Sequence, residues 1–348
     1  MTERVGLGMP QRPCFGTSGH LGGALGLAVL VALLLGGCAA SDSVFGPDEV
    51  AESDRVTLRT LAENDENPRL DIGEQTAEVA AYTTYAASYQ SGGVTITVGL
   101  SIPTADGPHP GIVLAHGLTH PDSFTQGGRM NPERDYFARA GYVVLNVDLR
   151  SSHPGTKAET ALSIDMGATL DVINAVRALA RAELPGQPDL PGASDDLDED
   201  RIALLGHSMG GALVINAMVA QPGLIDAVVA IAPASSDAVD NVHVLSLMAG
   251  ATSGSIFARY GTPEDQPAFW QDISARTFAN RAEAPLLIIH GTDDPVTPIE
   301  WSEATADVWN ATGSDVRLEH LEGEGHILSL RWRDAMRLAE EFLDAELD

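Results

Sequence analysis

The sequence predicts an α/β protein whose mostly parallel sheet is covered by helices on both faces. Short, nearly all-apolar runs recur along the chain, as buried parallel strands do. The segments between several of these runs carry helical periodicity. At one junction, Gly206-His-Ser-Met-Gly-Gly211, a strand passes directly into a helix through a turn of small residues.

The elements follow in order. Val94–Val98 alternates β-branched residues after a Gly92-Gly93 turn and reads as an exposed strand. Gly111–Ala115 is a buried strand stopped by His116-Gly117, followed by a helix near Pro132–Ala140 and the strand Tyr142–Val147. Helical spacing of Met166, Leu170, Ile173, Val176 and Leu179 sets a helix over Asp165–Glu183. A loop rich in Pro, Gly and Asp, Leu184–Asp200, leads to the strand Arg201–Leu205 and the helix Met209–Ala220. The strands Ala227–Ile231, Pro285–His290 and Val316–Leu321 and the helix Leu328–Leu347 complete the chain. Between the strands ending at Ile231 and starting at Pro285 lie about fifty residues, too many for a simple connection. We expect a cap insertion over about 237–284, in which Met248, Phe257, Tyr260, Phe269, Trp270 and Phe278 either line an apolar pocket or pack a crossover helix.

The 348 residues allow one large domain or two ordinary ones, and 44% apolar residues rule out wholesale disorder. A net charge of −29 repels phosphate backbones, so no nucleic acid is expected as partner. Two cysteines, Cys14 and Cys38, exclude a disulfide framework and a cysteine-rich zinc site. The uncharged run Leu21–Ala40 follows Arg4 and Arg12 and ends in Leu35-Gly36-Gly37-Cys38, which resembles a bacterial lipobox. That reading makes 1–37 a lipoprotein signal peptide and Cys38 a lipidated N-terminus, with the rest of the chain outside the cytoplasm in the cell envelope. The same run is also long enough for a permanent membrane helix. Residues 38–79, crowded with Asp and Glu, read as a solvated acidic tether before a domain over 80–348.

The elbow Gly206–Gly211 needs small residues two positions either side of Ser208, because the sharp turn strains the backbone there. It lifts the Ser208 hydroxyl clear of the sheet and aims the Met209 N–H, at the helix N-terminus, at a developing oxyanion. A serine nucleophile needs a base and an orienting carboxylate. Asp293 and Asp294 follow one late strand and His326 follows the next, in the order Ser, Asp, His.

Together His116-Gly117, Asp148-Leu-Arg150, Gly206–Gly211, His290-Gly-Thr-Asp-Asp-Pro-Val296 and Gly325-His326 resemble the α/β-hydrolase superfamily over about residues 80–345. Within it the chain is most similar to the catalytic domain of prolyl oligopeptidase and dipeptidyl-peptidase type enzymes, and to dienelactone-hydrolase-like esterases. The resemblance implies an α/β-hydrolase fold and a serine hydrolase acting on a small ester or short peptide through an acyl-enzyme. Ser208 would be the nucleophile, His326 the base and Asp294 the acid, four positions after the motif's His; Asp293 is the near competitor and Asp237 a remoter one. The Leu118 N–H would be the second oxyanion donor. No cofactor is implied. Peptidases of this type usually carry a β-propeller, which residues 39–79 cannot supply, and no Glu-Glu pair stands in a family-like setting; both favour an ester.

Other polar groups take plainer readings. His116, His120 and Asp122 read as loop residues rather than a metal site. Asp196, Asp198 and Asp200 begin like a calcium loop, but Arg201 and His207 stand where Gly and Glu are needed. Asp148 and Arg150 are expected to form a structural pair. From another class, a non-catalytic envelope lipoprotein could use the same fold as a binding module.

The lipobox makes one prediction of its own. Cys38→Ser should stay unprocessed at residue 37 and take up no labelled fatty acid in cells; normal processing would contradict the assignment.

Overall fold

A computed structural model describes residues 51, 55–118, 126–152, 157–185 and 197–348. Cys14, Cys38, the whole signal segment, His120, Asp122 and Asp196 lie outside the described residues.

Nine strands form one sheet among the described residues, in the order β1-β2-β3-β5-β4-β6-β7-β8-β9. They are β1 (Asp71–Val79), β2 (Tyr82–Ser91), β3 (Val94–Pro103), β4 (His109–Ala115), β5 (Val143–Val147), β6 (Leu197–His207), β7 (Ala227–Ile231), β8 (Leu286–Gly291) and β9 (Val316–Leu321). The pairings β1–β2, β2–β3 and β3–β5 are antiparallel, and every pairing from β5 to β9 is parallel. The chain leaves β4 for β5 on one side and later returns to β6 on the other. The carboxyl ends of β4 and β6 therefore open the crevice where open α/β sheets bind ligands.

The helices are α1 (Asn131–Arg139), α2 (Gly167–Ala180), α3 (Met209–Ala220), α4 (Ala238–Leu245), α5 (Ser253–Tyr260), α6 (Pro267–Asp272), α7 (Ile299–Thr312) and α8 (Trp332–Leu347). Strand alternation sorts the core into two layers. Val113 and Ala115 of β4 join the cluster holding Val172, Val176 and Leu213 of α2 and α3. Ile112 and Leu114 face the other way, with Phe137 of α1 and Met336 and Leu343 of α8. Both faces of the inner strands β5, β7 and β8 are thus dry, which explains their nearly all-apolar runs, whereas the edge strand β9 exposes Arg317 and His320.

Three expectations about the N-terminal half are corrected. Val94–Val98 is not an exposed strand but the start of a longer one, in which Ile96, Val98 and Leu100 are fully buried. The tether does not extend to residue 79. A helical turn at Leu58–Leu61 puts Leu58 and Leu61 into the main core with Leu70, and β1 adds an edge strand. Polar contacts secure the same segment. Glu66 accepts from the Gly92 N–H at 3.0 Å and from Asn174 Nδ2 at 2.6 Å, and Arg59 grips Asp272 of α6 at 2.8 and 3.0 Å. Its acidic residues are in part structural acceptors rather than solvated charge. Finally, Arg150 is paired with the fully buried Asp171 at 2.6 Å, while Asp148 accepts from the Gly127 N–H and the Thr97 hydroxyl.

The cap expected between β7 and β8 consists of α4, α5, α6 and a 3₁₀ stretch at Ala275–Arg281. Its aromatic rings pack on one another: Tyr260 stacks on Phe269 at 5.3 Å, and Trp270 meets Phe257 and Phe269 edge-on.

If residues 55–70 belong to the domain, Leu58→Ala should lower stability by about 2–4 kcal/mol, as for other fully buried leucines. Urea unfolding measures this, and an unchanged midpoint would return the segment to the tether.

Candidate active site

The strand β6 ends at His207 and α3 begins at Met209, so Ser208 alone makes the turn, at φ 58° and ψ −121°. A side chain at Gly206 would put a Cβ 2.2 Å from the Gly210 carbonyl, and one at Gly210 would lie 2.0 Å from the Ala115 carbonyl. Only glycine lets the backbone of β6, α3 and the end of β4 approach this closely. The positive φ is fixed by backbone bonds: the Ser208 N–H donates to the Ile231 carbonyl, and the Ser208 carbonyl accepts from the Ala234 N–H, each at 2.9 Å.

His326 arrives from the loop after β9. Its Nε2 lies 2.9 Å from Ser208 Oγ, and its Nδ1–H donates to Asp294 Oδ2 at 2.8 Å. The turn after β8 surrounds Asp294 with donors. Oδ1 accepts from the Val296 and Thr297 N–H groups at 2.7 and 3.0 Å. Oδ2 also accepts from Thr297 Oγ1 at 2.9 Å and from His290 Nε2 at 3.1 Å. Burial of Asp294 alone would raise its pKa, but the hydrogen bonds from His290 and His326 outweigh it and hold the carboxyl well below the usual carboxylate range. It remains ionised beside His326 at any working pH.

The competing carboxylates go elsewhere. Asp293 is exposed and meets Thr292. Asp237 caps α4 through the Val239 N–H at 2.9 Å and faces Arg276. Met209 opens α3, whose first N–H groups lack intrahelical partners. Leu118 follows Gly117, where a Cβ would sit 2.9 Å from Ser208 Cβ, so the loop after β4 presses directly on the serine. Asp198 and Asp200, expected in a loop, lie at the start of β6, where Asp198 accepts from Arg201 and the Asp200 N–H, and His116 Nδ1 lies 2.7 Å from the Gly117 carbonyl.

Two supporting residues, His290 and Thr297, carry no role in the sequence reading. The His290 ring is buried, with Nε2 facing both Asp294 and the Thr297 carbonyl and Nδ1 2.7 Å from the Ser302 hydroxyl. Two acceptors at Nε2 place its proton there and leave Nδ1 to accept from Ser302. Thr297 bridges Asp294, His326 and the Ala232 carbonyl. The signal that could have found them is a buried His at a strand end, four residues before an acid. Beside them, His207 Nε2–H donates to the His326 carbonyl at 2.9 Å. Burial, helped by the nearby His326, pushes the His207 pKa down to about 4, so its ring is neutral at pH 7 and acts as a brace.

A cavity open to solvent begins at Ser208, Met209 and Leu118. Of the cap residues singled out in the sequence, only Met248 lines it. The aromatic rings belong to the packing of the cap, and aliphatic side chains of α4 make the wall instead.

The sequence profile of the prolyl oligopeptidase family matches residues 129–348. Among solved structures, the acylaminoacyl peptidase of Pyrococcus horikoshii superposes with a TM-score of 0.59 at 21% identity, over 78% of this chain and 42% of that one. Acetyl xylan esterase 1 from Thermoanaerobacterium sp. superposes with a TM-score of 0.60 at 19% identity, over 84% and 92%. Dipeptidyl peptidase 4 of Porphyromonas gingivalis gives 0.58 at 18%, over 77% and 36%. The chain thus spans less than half the length of these two peptidases. At such identities the structural likeness establishes the α/β-hydrolase fold.

The neutral His207 makes stability depend on pH. It titrates near its ordinary value of 6.5 when unfolded but only near about 4 in the fold, so the unfolded chain takes up the proton first. Stability should fall as pH drops from about 6.5 toward about 4, and His207→Gln should remove that part of the slope. Denaturant midpoints across the window check it; an unaltered slope in the variant would refute the brace.

Proposed function

The chain belongs to the prolyl oligopeptidase family, a family of serine hydrolases, and from that premise we propose that it cleaves a carboxylic ester or peptide bond through an acyl-enzyme on Ser208. The observation that carries this is the unbroken contact Ser208–His326–Asp294, at 2.9 and 2.8 Å, on a serine in a strained turn. Ser208 Oγ attacks the carbonyl carbon while His326 Nε2 takes its proton. The Met209 and Leu118 N–H groups receive the oxyanion, and Asp294 steadies the imidazolium. His326 then protonates the leaving alcohol or amine, and the carbonyl reforms as the ester of Ser208. Water, activated by the same imidazole, releases the acid and restores the hydroxyl.

A binding module would give no reason for a hydroxyl, an imidazole and an ionised carboxylate to stand in line. The lipobox supports the further proposal that the mature protein is held at a membrane of the cell envelope through Cys38, where it would meet small esters or short peptides.

With a chromogenic ester, Asp294→Asn should lower kcat roughly 10⁴-fold, because the wrong imidazole tautomer then faces Ser208. Asp293→Asn should stay within about twofold, as an exposed substitution does. Steady-state kinetics on both variants, with Ser208→Ala as the blank, tests the assignment; equal effects at 293 and 294 would defeat it.

A further inference from the structure

The cavity at Ser208 has a direction. On α3 its wall is made by Met209, Ala212, Leu213 and Asn216, spaced i, i+3, i+4 and i+7 on one face of the helix. At 1.5 Å per residue that face runs about 10 Å away from the serine. Across from it, Ala238, Val242 and Leu245 supply the corresponding face of α4. Met166 and Ile273 are among the other described lining residues. The result is a channel walled in large part by faces of two helices.

Its lining also has a chemical character. Among the described residues, no lining side chain carries a charge, so none of them answers a substrate ammonium or carboxylate. Several of its polar residues have partners in the protein. Asn241 uses both ends of its amide on the Ser235 backbone at 2.9 Å, Ser236 meets Thr305 at 2.8 Å, and the Ser235 hydroxyl donates to Asp240 at 2.7 Å. A peptidyl group would bring an N–H and a C=O at every residue, each costly to bury without a partner. An alkyl chain brings none.

The position of His326 decides which half of the substrate enters. At the tetrahedral carbon, one substituent is Ser208 Oγ and the oxyanion points to Met209 and Leu118. The leaving group must stand beside His326 Nε2 to be protonated. The channel is lined by Ser208, Met209 and Leu118, and His326 is not among its lining residues. The substituent directed into it is therefore the one that remains on the enzyme.

We propose that this channel is an acyl pocket for an uncharged, aliphatic, medium-length acyl group, and that the preferred substrates are esters of such acids, with Asn216 setting the chain-length limit. This rests on the serine-hydrolase reading of Ser208 and adds the substrate class to it.

The test is two matched series on the purified protein. In p-nitrophenyl acetate, butyrate, hexanoate and octanoate the chain grows on the acyl side; in acetate esters of ethanol, butanol and hexanol it grows on the alcohol side. The acyl series should gain about three- to fourfold in kcat/KM per methylene until the channel is full, the return expected for a buried CH₂. The alcohol series should be nearly flat. Asn216→Phe should lower the octanoate-to-acetate ratio at least tenfold, a ratio within one variant that is independent of how much protein folds. A steep alcohol series with a flat acyl series would overturn the assignment by placing the leaving group in the channel. Faster turnover of free-amine alanyl p-nitroanilide than of the butyrate would overturn it by revealing an ammonium site. The acetate places no chain in the channel and reports the serine reaction itself. Acetate turnover that survives Ser208→Ala would defeat the serine reading, whereas Ser208-dependent turnover with a flat acyl series would defeat the pocket alone.

Discussion

Ser208 turns the chain from β6 into α3 at a positive φ, and it can do so because Gly206 and Gly210 let three backbones touch. The dry parallel strands on either side resist any relaxation of that turn, since moving it would unseat Ala115 and Ile231 from the ends of β4 and β7. Fixing the serine fixes the problem the other loops must solve. They have to deliver an imidazole and a carboxylate to a point set by the sheet, and they do so from the ends of successive strands, β8 and β9.

Holding an ionised carboxylate out of water next to that point requires donors, and the turn after β8 is built around supplying them. Five hydrogen bonds converge on Asp294, two from backbone and three from Thr297, His290 and His326. The arrangement keeps the acid charged despite burial and leaves each imidazole with its proton on a defined nitrogen. His207 does similar work from the other side, as a neutral ring tied to the His326 carbonyl. The catalytic chemistry proposed here thus needs no charge beyond one buried carboxylate, although the chain as a whole is strongly acidic.

What the sequence disclosed follows from where burial leaves a pattern. The runs at 111–115 and 227–231 are buried between parallel neighbours and match strands in the structure, while 316–321, at the sheet edge, was legible through Val316, Leu318 and Leu321 on its alternating positions and one parallel neighbour. Helix α7 escaped notice because its buried positions are Ser302, Thr305, Ala306 and Trp309. That spacing is helical, but half of these residues are polar, since Ser302 supports His290 and Thr305 meets Ser236. The edge strand β1 is exposed along nearly its whole length and so has no apolar alternation to read. The turn at Leu58–Leu61 is too short for any period to emerge from its acidic surroundings. Asp293 and Asp294 are neighbours in sequence, and only the path of the turn separates a solvent-facing carboxylate from one held beside His326. The motif order was legible; the supporting contacts of Thr297 and His290 were not, because neither a loop threonine nor a single histidine at the end of β8 announces its partners by any periodic pattern.

The cap divides its labour in a way that composition concealed. Its aromatic rings fasten α5 to α6, and Arg59 from the N-terminal segment fastens α6 in turn. That leaves α4, with its smaller aliphatic residues, as the wall of the cavity. Everything in this account turns on Ser208 being an activated nucleophile, and the most direct measurement is mass spectrometry of the folded protein after treatment with a fluorophosphonate. An activated Ser208 should give one adduct, mapped to Ser208 and formed far more slowly when His326 is replaced by alanine. No adduct, or one on another residue, would contradict it.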